Sequence, residues 1–205
     1  LFFQTQSYSE EKFIFGKAQV IDGDTIKING KSIRLYGIDA PEMKQLCKDK
    51  YKVNYACGYV SKFFLKSFIK DAMKIKNYKN VFCYYNELDR YNRIIGECFV
   101  GPKKIYSLNS AMILSGNAVA YLRYSDKYLN DQNEAKLEKK GIWSGVFIFP
   151  EEWRRKYNWF IMSEWFGKQI FIYLFYYSFL QPVHLFQKIL KIVVQFLKSV
   201  TYGIN

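Results

Sequence analysis

Three acidic residues have the type and spacing for chemistry. Asp24 sits in Asp22-Gly23-Asp24-Thr25, between two apolar runs, while Asp39 and Glu42 close Asp39-Ala40-Pro41-Glu42 directly after another. Carboxylates gathered at strand ends repel one another unless something positive lies among them, and a hard cation is the usual answer. An oxygen-only donor set, with no histidine or cysteine near it, indicates calcium or magnesium rather than zinc. Arg34 precedes Asp39 on the same strand, and Arg93 follows in Asp89-Arg90-Tyr91-Asn92-Arg93. A guanidinium matches phosphate oxygens and keeps its charge. Together these groups describe a phosphodiester site. The cation polarises the phosphate, Glu42 positions or deprotonates a water, and Arg34 and Arg93 stabilise the charge of the transition state. Taken singly, each has a plainer reading as a turn, a helix start or a surface strand residue.

These residues need a scaffold that turns sharply between short strands. Ile26-Lys27-Ile28 alternates into Asn29-Gly30, and Ile33-Arg34-Leu35 alternates out, a strong signal for a tight hairpin. Its index sum of about 59 sets Asp24 and Asp39 near one end of the hairpin, out of strict opposition. A polar loop over 39–53 leads to a helix from Asn54 to about Lys70. Strands near 73–84 and 92–100 follow, then a short helix over 107–114 with Ser107 as N-cap and Gly116 as stop. Residues 118–122 read as extended, and Asp126 is placed to cap a helix through about Lys140, closed by Gly141. This order is that of a small α+β Greek-key barrel of the OB type with packed helices.

Composition limits the rest. Of 205 residues, 50% are hydrophobic and 20% aromatic, which excludes a disordered chain. The formal charge of +13 invites a polyanion, nucleic acid or a membrane face, although base bias in the coding DNA also yields lysine. Cys47, Cys57, Cys83 and Cys98 lack zinc spacing, and their even number favours two disulfides and an exported protein over four reduced thiols. Four cysteines allow three connectivities. The hairpin read around Asn86–Tyr91 sets Cys83 opposite Cys98, which leaves Cys47 for Cys57.

At the start, residues 1–12 carry Leu1-Phe2-Phe3 and Ser7-x-Ser9, read as a signal-peptide remnant. At the far end, residues 158–205 form a hydrophobic and amphipathic helical tail. Phe186, Ile189, Leu190, Val193, Val194 and Leu197 make a stripe with Lys188, Lys191 and Lys198 largely opposite. The first reading is contact with a membrane surface; packing on a partner, or no role, are the alternatives.

The runs Val20–Ile28, Ile33–Glu42, Asp89–Arg93 and Gly141–Ser144, in this order and spacing, resemble the staphylococcal nuclease (thermonuclease) family over 15 to about 145. The resemblance implies a five-stranded OB barrel with three helices over 13–157. It also implies calcium-dependent cleavage of DNA and RNA at the 5′ P–O bond, leaving 3′-phosphates. By the same resemblance Asp24, Asp39 and the backbone carbonyl of Ala40 hold calcium, Glu42 is the base, and Arg34 and Arg93 clamp phosphate. Tyr91 contacts a flanking phosphate, and Tyr121 and Tyr124 stack on bases. Asn92 stands where the family usually has glycine, and asparagine tolerates the positive φ needed there. The cysteines and the Pro150…Trp153-Arg154-Arg155 ending resemble the exported, disulfide-containing bacterial branch, periplasmic or secreted. No protein partner is implied. Two further readings remain, a non-catalytic OB-fold nucleic-acid-binding module tethered to a membrane and a membrane-interacting structural protein with a vestigial barrel.

Overall fold

The computed structural model describes residues 12–157 and Lys168. The chain divides into two compact units, Leu1–Arg154 and Arg155–Asn205, and every described strand lies in the first. The N-terminal segment before Lys12 and the amphipathic stripe of the tail lie outside the described residues.

Strand β1 (Lys12–Gly16) and β2 (Gln19–Val20) lead into the hairpin of β3 (Thr25–Ile28) and β4 (Lys31–Leu35). Its register pairs Thr25 with Arg34 and Ile26 with Ile33, as the index sum requires. Asn29 and Gly30 supply the turn at φ of 50° and 78°, which few other residues tolerate. After β5 (Ile38–Asp39), the short β6 (Cys47–Lys48) and β7 (Asn54–Tyr55) precede helix α1 (Cys57–Lys76). Next come β8 (Val81–Leu88), β9 (Ile94–Val100), β10 (Tyr106–Ser107), α2 (Leu108–Leu114), β11 (Val119–Ala120) and α3 (Leu129–Leu137). A 3₁₀ turn (Gly141–Ser144) follows, and residues 150–154 are helical at the end of this unit.

The main sheet runs β1-β8-β9-β4-β3-β2, with β10 on β9. It is mixed, because β4 pairs parallel with β9 while the other pairings are antiparallel. Its two end strands are consecutive in the chain, so the sheet curls back on itself. Asn29 Nδ2 reaches across to the Phe15 carbonyl at 3.2 Å. Ile26, Ile28, Ile33 and Leu35 bury themselves against Leu65 of α1 and Leu108, Met112 and Ile113 of α2 and its end. The buried Asn109 laces this centre together. Its Nδ2 donates to the Tyr36 and Gly96 carbonyls, and its Oδ1 accepts from Cys98 N–H.

Several elements differ from the sequence reading. Among the described residues eleven strand segments appear where five strands were anticipated, because sharp turns cut the chain into pieces as short as two residues. Helix α1 starts later than Asn54, since Asn54 and Tyr55 pair with β6. It also runs past Lys70, into the stretch read as strand. Buried Leu65, Ile69 and Ala72 extend the helical spacing, and Asn77 stops it in the left-handed conformation. Asp126 does not cap α3. Its carbonyl closes a turn with Leu129 N–H at 2.8 Å, and the helix starts after Tyr128. By contrast, Ser107 caps α2 by accepting from Ser110 N–H.

Both disulfides form. Cys83 and Cys98 are direct partners across β8 and β9, and Cys47 joins Cys57 at the start of α1. Such bonds indicate an oxidising compartment. No helix among the described residues is long and apolar enough to cross a membrane.

Candidate active site

The hairpin sets the first two groups side by side. Leu35 N–H donates to the Asp24 carbonyl at 2.8 Å, which pins the Asp22–Thr25 turn to β4. With Thr25 opposite Arg34, the Arg34 guanidinium lies against Asp24 and bonds its Oδ1 through Nη1. The chain then doubles back, and β5 carries Asp39 into line by pairing with Val119 of β11. Nη2 of Arg34 reaches Asp39 Oδ1 at 2.6 Å. Ala40 N–H donates to Asp24 Oδ2 at 2.8 Å, so Ala40 is tied to the same carboxylate. One guanidinium therefore joins two carboxylates that are only 3% and 1% exposed.

Glu42 is placed by backbone contact. Its N–H donates to Gln45 Oε1 at 3.2 Å, its carbonyl accepts from Gln45 N–H at 2.7 Å, and Gln45 Nε2 donates to the Ile148 carbonyl at 2.6 Å. Helix α1 approaches so closely that a Cβ on Gly58 would lie 2.0 Å from the Glu42 carbonyl oxygen. Arg154 completes the cluster. Its Nη1 and Nη2 each lie 3.0 Å from an oxygen of Asp39, and Nη1 is 2.8 Å from Glu42 Oε1.

Electrostatics follow from this packing. Burial pushes the Asp24 carboxyl above its ordinary range, against the pull of Arg34. Desolvation works against the charge of Arg34 and of Arg154, but their carboxylate partners outweigh it and raise both. Asp24, Asp39 and Glu42 carry one more negative charge than Arg34 and Arg154 neutralise. Hard oxygen donors with surplus negative charge fit calcium or magnesium in chemistry. As the side chains stand, no group of three acidic, histidine or cysteine residues among those described converges on a metal position. Arg154 engages both oxygens of Asp39.

Arg93 is held elsewhere. Its Nε bonds Asp89 Oδ2 at 2.7 Å, and Asp89 Oδ1 accepts the N–H groups of Tyr91 and Arg93. Asn92 adopts φ of 62°, so the turn forms without glycine. Tyr91 is exposed, with the Arg90 and Arg93 guanidiniums 4.9 and 5.7 Å from its ring. Tyr91, Asn92 and Arg93 line an open cavity of about 600 Å³ together with Lys12, Lys31 and Tyr85. Tyr121 and Tyr124 form an edge-to-face pair at 4.9 Å. Burial, then the charges of Glu151 and Asp39, raise the Tyr121 hydroxyl, with Arg154 opposing.

Residues 32–145 match the family described as Staphylococcal nuclease homologue. The chain belongs to this family. Its α+β architecture with a curled mixed sheet is the OB fold of the staphylococcal nuclease homologues. Among relatives, the succinoglycan biosynthesis protein ExoI of Rhizobium meliloti (strain 1021) is 38% identical over 133 residues, 63% of this chain and 64% of that protein. The chain thus spans a little under two thirds of that relative. An uncharacterized endonuclease of Escherichia coli is 34% identical over 145 residues, covering 67% of this chain and 82% of its own. A probable endonuclease, LCL3 of Komagataella phaffii, is 29% identical over 146 residues, 64% and 58% of the two chains.

The site therefore brings together Asp24, Arg34, Asp39, Ala40 and Glu42, and leaves Arg93 on its own turn. Sequence reasoning missed Arg154, Gln45 and Gly58. Arg154 stood in the Pro150…Trp153-Arg154-Arg155 ending, read only for its resemblance to the exported branch. Gln45 and Gly58 carry no chemical signal, because their work is to hold the Glu42 backbone.

Proposed function

We propose that this protein is a metal-dependent nuclease that hydrolyses phosphodiester bonds of DNA or RNA. The observation that carries the reading is the Arg34 guanidinium bound to both Asp24 and Asp39, with Glu42 joined to Asp39 through Arg154. The endonuclease names of two relatives support it. Asp24, Asp39 and the Ala40 carbonyl are the proposed calcium ligands. When bound, the cation polarises the scissile phosphate and offsets its charge.

The chain's own residues do the rest. Glu42 accepts a proton from water as the water oxygen bonds to phosphorus. The bond from phosphorus to the 5′ oxygen breaks, and that oxygen takes a proton from solvent, which leaves a 3′-phosphate and a 5′-hydroxyl. Arg34, fixed by two carboxylates, donates to the phosphate, and Arg93 does so after turning from Asp89. Tyr91 flanks a neighbouring phosphate, while Tyr121 and Tyr124 offer faces to bases.

The test incubates the full chain with single-stranded DNA and with RNA, in calcium and then in chelator, and identifies the product ends. Calcium-dependent cleavage that leaves 3′-phosphates is expected, with Glu42→Gln and Arg93→Ala slower by several orders of magnitude. Binding without cleavage in calcium would leave an OB-fold module that only binds strands.

The two disulfides support export to the periplasm or outside the cell. The tail over 158–205 is proposed to touch membrane surfaces. Co-sedimentation of the full chain with anionic vesicles tests this, and no partitioning would remove the proposal.

A further inference from the structure

Arg154 joins the acidic cluster from beyond the C-terminal end of the matched family stretch, residues 32–145. Its planar fork faces the carboxylate of Asp39 with both Nη atoms at 3.0 Å, and Nη1 also bonds Glu42 at 2.8 Å. Asp39 is 1% exposed, so its oxygens have little access to water. A hard cation on Asp39 needs the same lone pairs that this fork engages.

Charge points the same way. With Arg34 alone, Asp24, Asp39 and Glu42 hold two surplus negative charges, which match a divalent ion. With Arg154 seated, one remains. A guanidinium does not lose its proton near neutral pH, so Arg154 cannot leave by titration. It leaves only by exchange. Its side chain is about one third exposed, with a relative accessibility of 32%, so a route outward exists.

We propose that Arg154 is a built-in competitor of the divalent cation, seated on Asp39 and Glu42 until the ion displaces it. The idea rests on the metal reading of the same carboxylates. It adds that calcium affinity is set by an internal exchange rather than by the carboxylates alone. It also explains why the acidic residues stay packed before an ion arrives. Two guanidiniums hold together carboxylates that would otherwise repel.

Calorimetric titration of calcium into the full chain, as wild type, Arg154→Ala and Arg154→Gln, tests the proposal. Both variants should bind calcium roughly tenfold more tightly or better, the change expected when a competing ion pair is removed. Equal or weaker binding in folded variants would overturn the competition while leaving the metal reading intact. No calcium uptake by any of the three would overturn both. Should the variants fail to fold, side-chain ¹⁵N spectra of the wild type decide. Calcium should abolish the restricted guanidinium signal of Arg154, and an unchanged signal at saturation would refute the exchange.

Discussion

Nη2 of Arg34 lies 2.6 Å from Oδ1 of Asp39, and the same guanidinium binds Asp24 through Nη1. Two carboxylates that are almost wholly buried thus depend on one planar fork. Lysine offers a compact ammonium that cannot span both. Arg34→Lys should therefore lower stability by about 3 kcal/mol, because a buried charge is left without its partner. Urea denaturation measures it, and a loss below about 0.5 kcal/mol would show that the fork is dispensable to the fold.

Gly58 is a positioning residue for Glu42. A Cβ there would stand 2.0 Å from the Glu42 carbonyl oxygen and 2.8 Å from Met43 Cα, both backbone atoms that cannot rotate aside. Gly58→Ala should displace the Glu42 segment by a fraction of an ångström or more and cut the cleavage rate about a hundredfold. Turnover at the wild-type level would show that the segment yields without moving the carboxylate.

Asp89 gives a pH signature. Burial works against its ionisation, but the N–H groups of Tyr91 and Arg93 and the Arg93 side chain outweigh it and hold its carboxyl below the ordinary range. The folded form then binds a proton less readily than the unfolded one. Its contribution is complete above the usual carboxylate range and is lost as pH falls through the lower, folded value. Asp89→Asn should cost about 1–2 kcal/mol at pH 7, and the gap from wild type should close in acid. Thermal melts across pH 2–7 measure this, and a constant gap would assign the effect to shape rather than charge.

Cys83 and Cys98 bridge directly opposed strand positions at a sequence separation of 15. Closing a loop of this length restricts the unfolded chain, so Cys83→Ala with Cys98→Ala should lose about 3 kcal/mol. Guanidinium denaturation provides the number. A change below about 1 kcal/mol would show that the pairing of β8 with β9 suffices without the bond.

Much of the scaffold is written in short stretches. Asn29-Gly30 between alternating isoleucines specifies a turn and a register, and the register in turn puts Arg34 against Asp24. Ser107 and the Cys83–Cys98 pair are likewise legible, because a cap and a hairpin depend on neighbours only a few residues away. The end of α1 was less so. Met73 and Ile75 suit a strand as well as a helix, and burial of Leu65, Ile69 and Ala72 against the sheet decides for the helix.

Residue type and order alone picked out Asp24, Arg34, Asp39 and Glu42, which the fold draws into one cluster, since those chemistries have few substitutes. Their partners were another matter. Asp39 meets Arg154 across 115 positions, and Glu42 leans on Gly58 and Gln45, contacts that exist only once the chain has doubled back. Local propensity carries no information about such distances. Arg93 shows the same limit in reverse, for the fold hands it to Asp89 in its own turn while Arg154, from the far end of the unit, occupies the carboxylates. A side chain's chemistry is set by its covalent structure, but its electrostatic partner is set by whatever packing brings within a few ångströms.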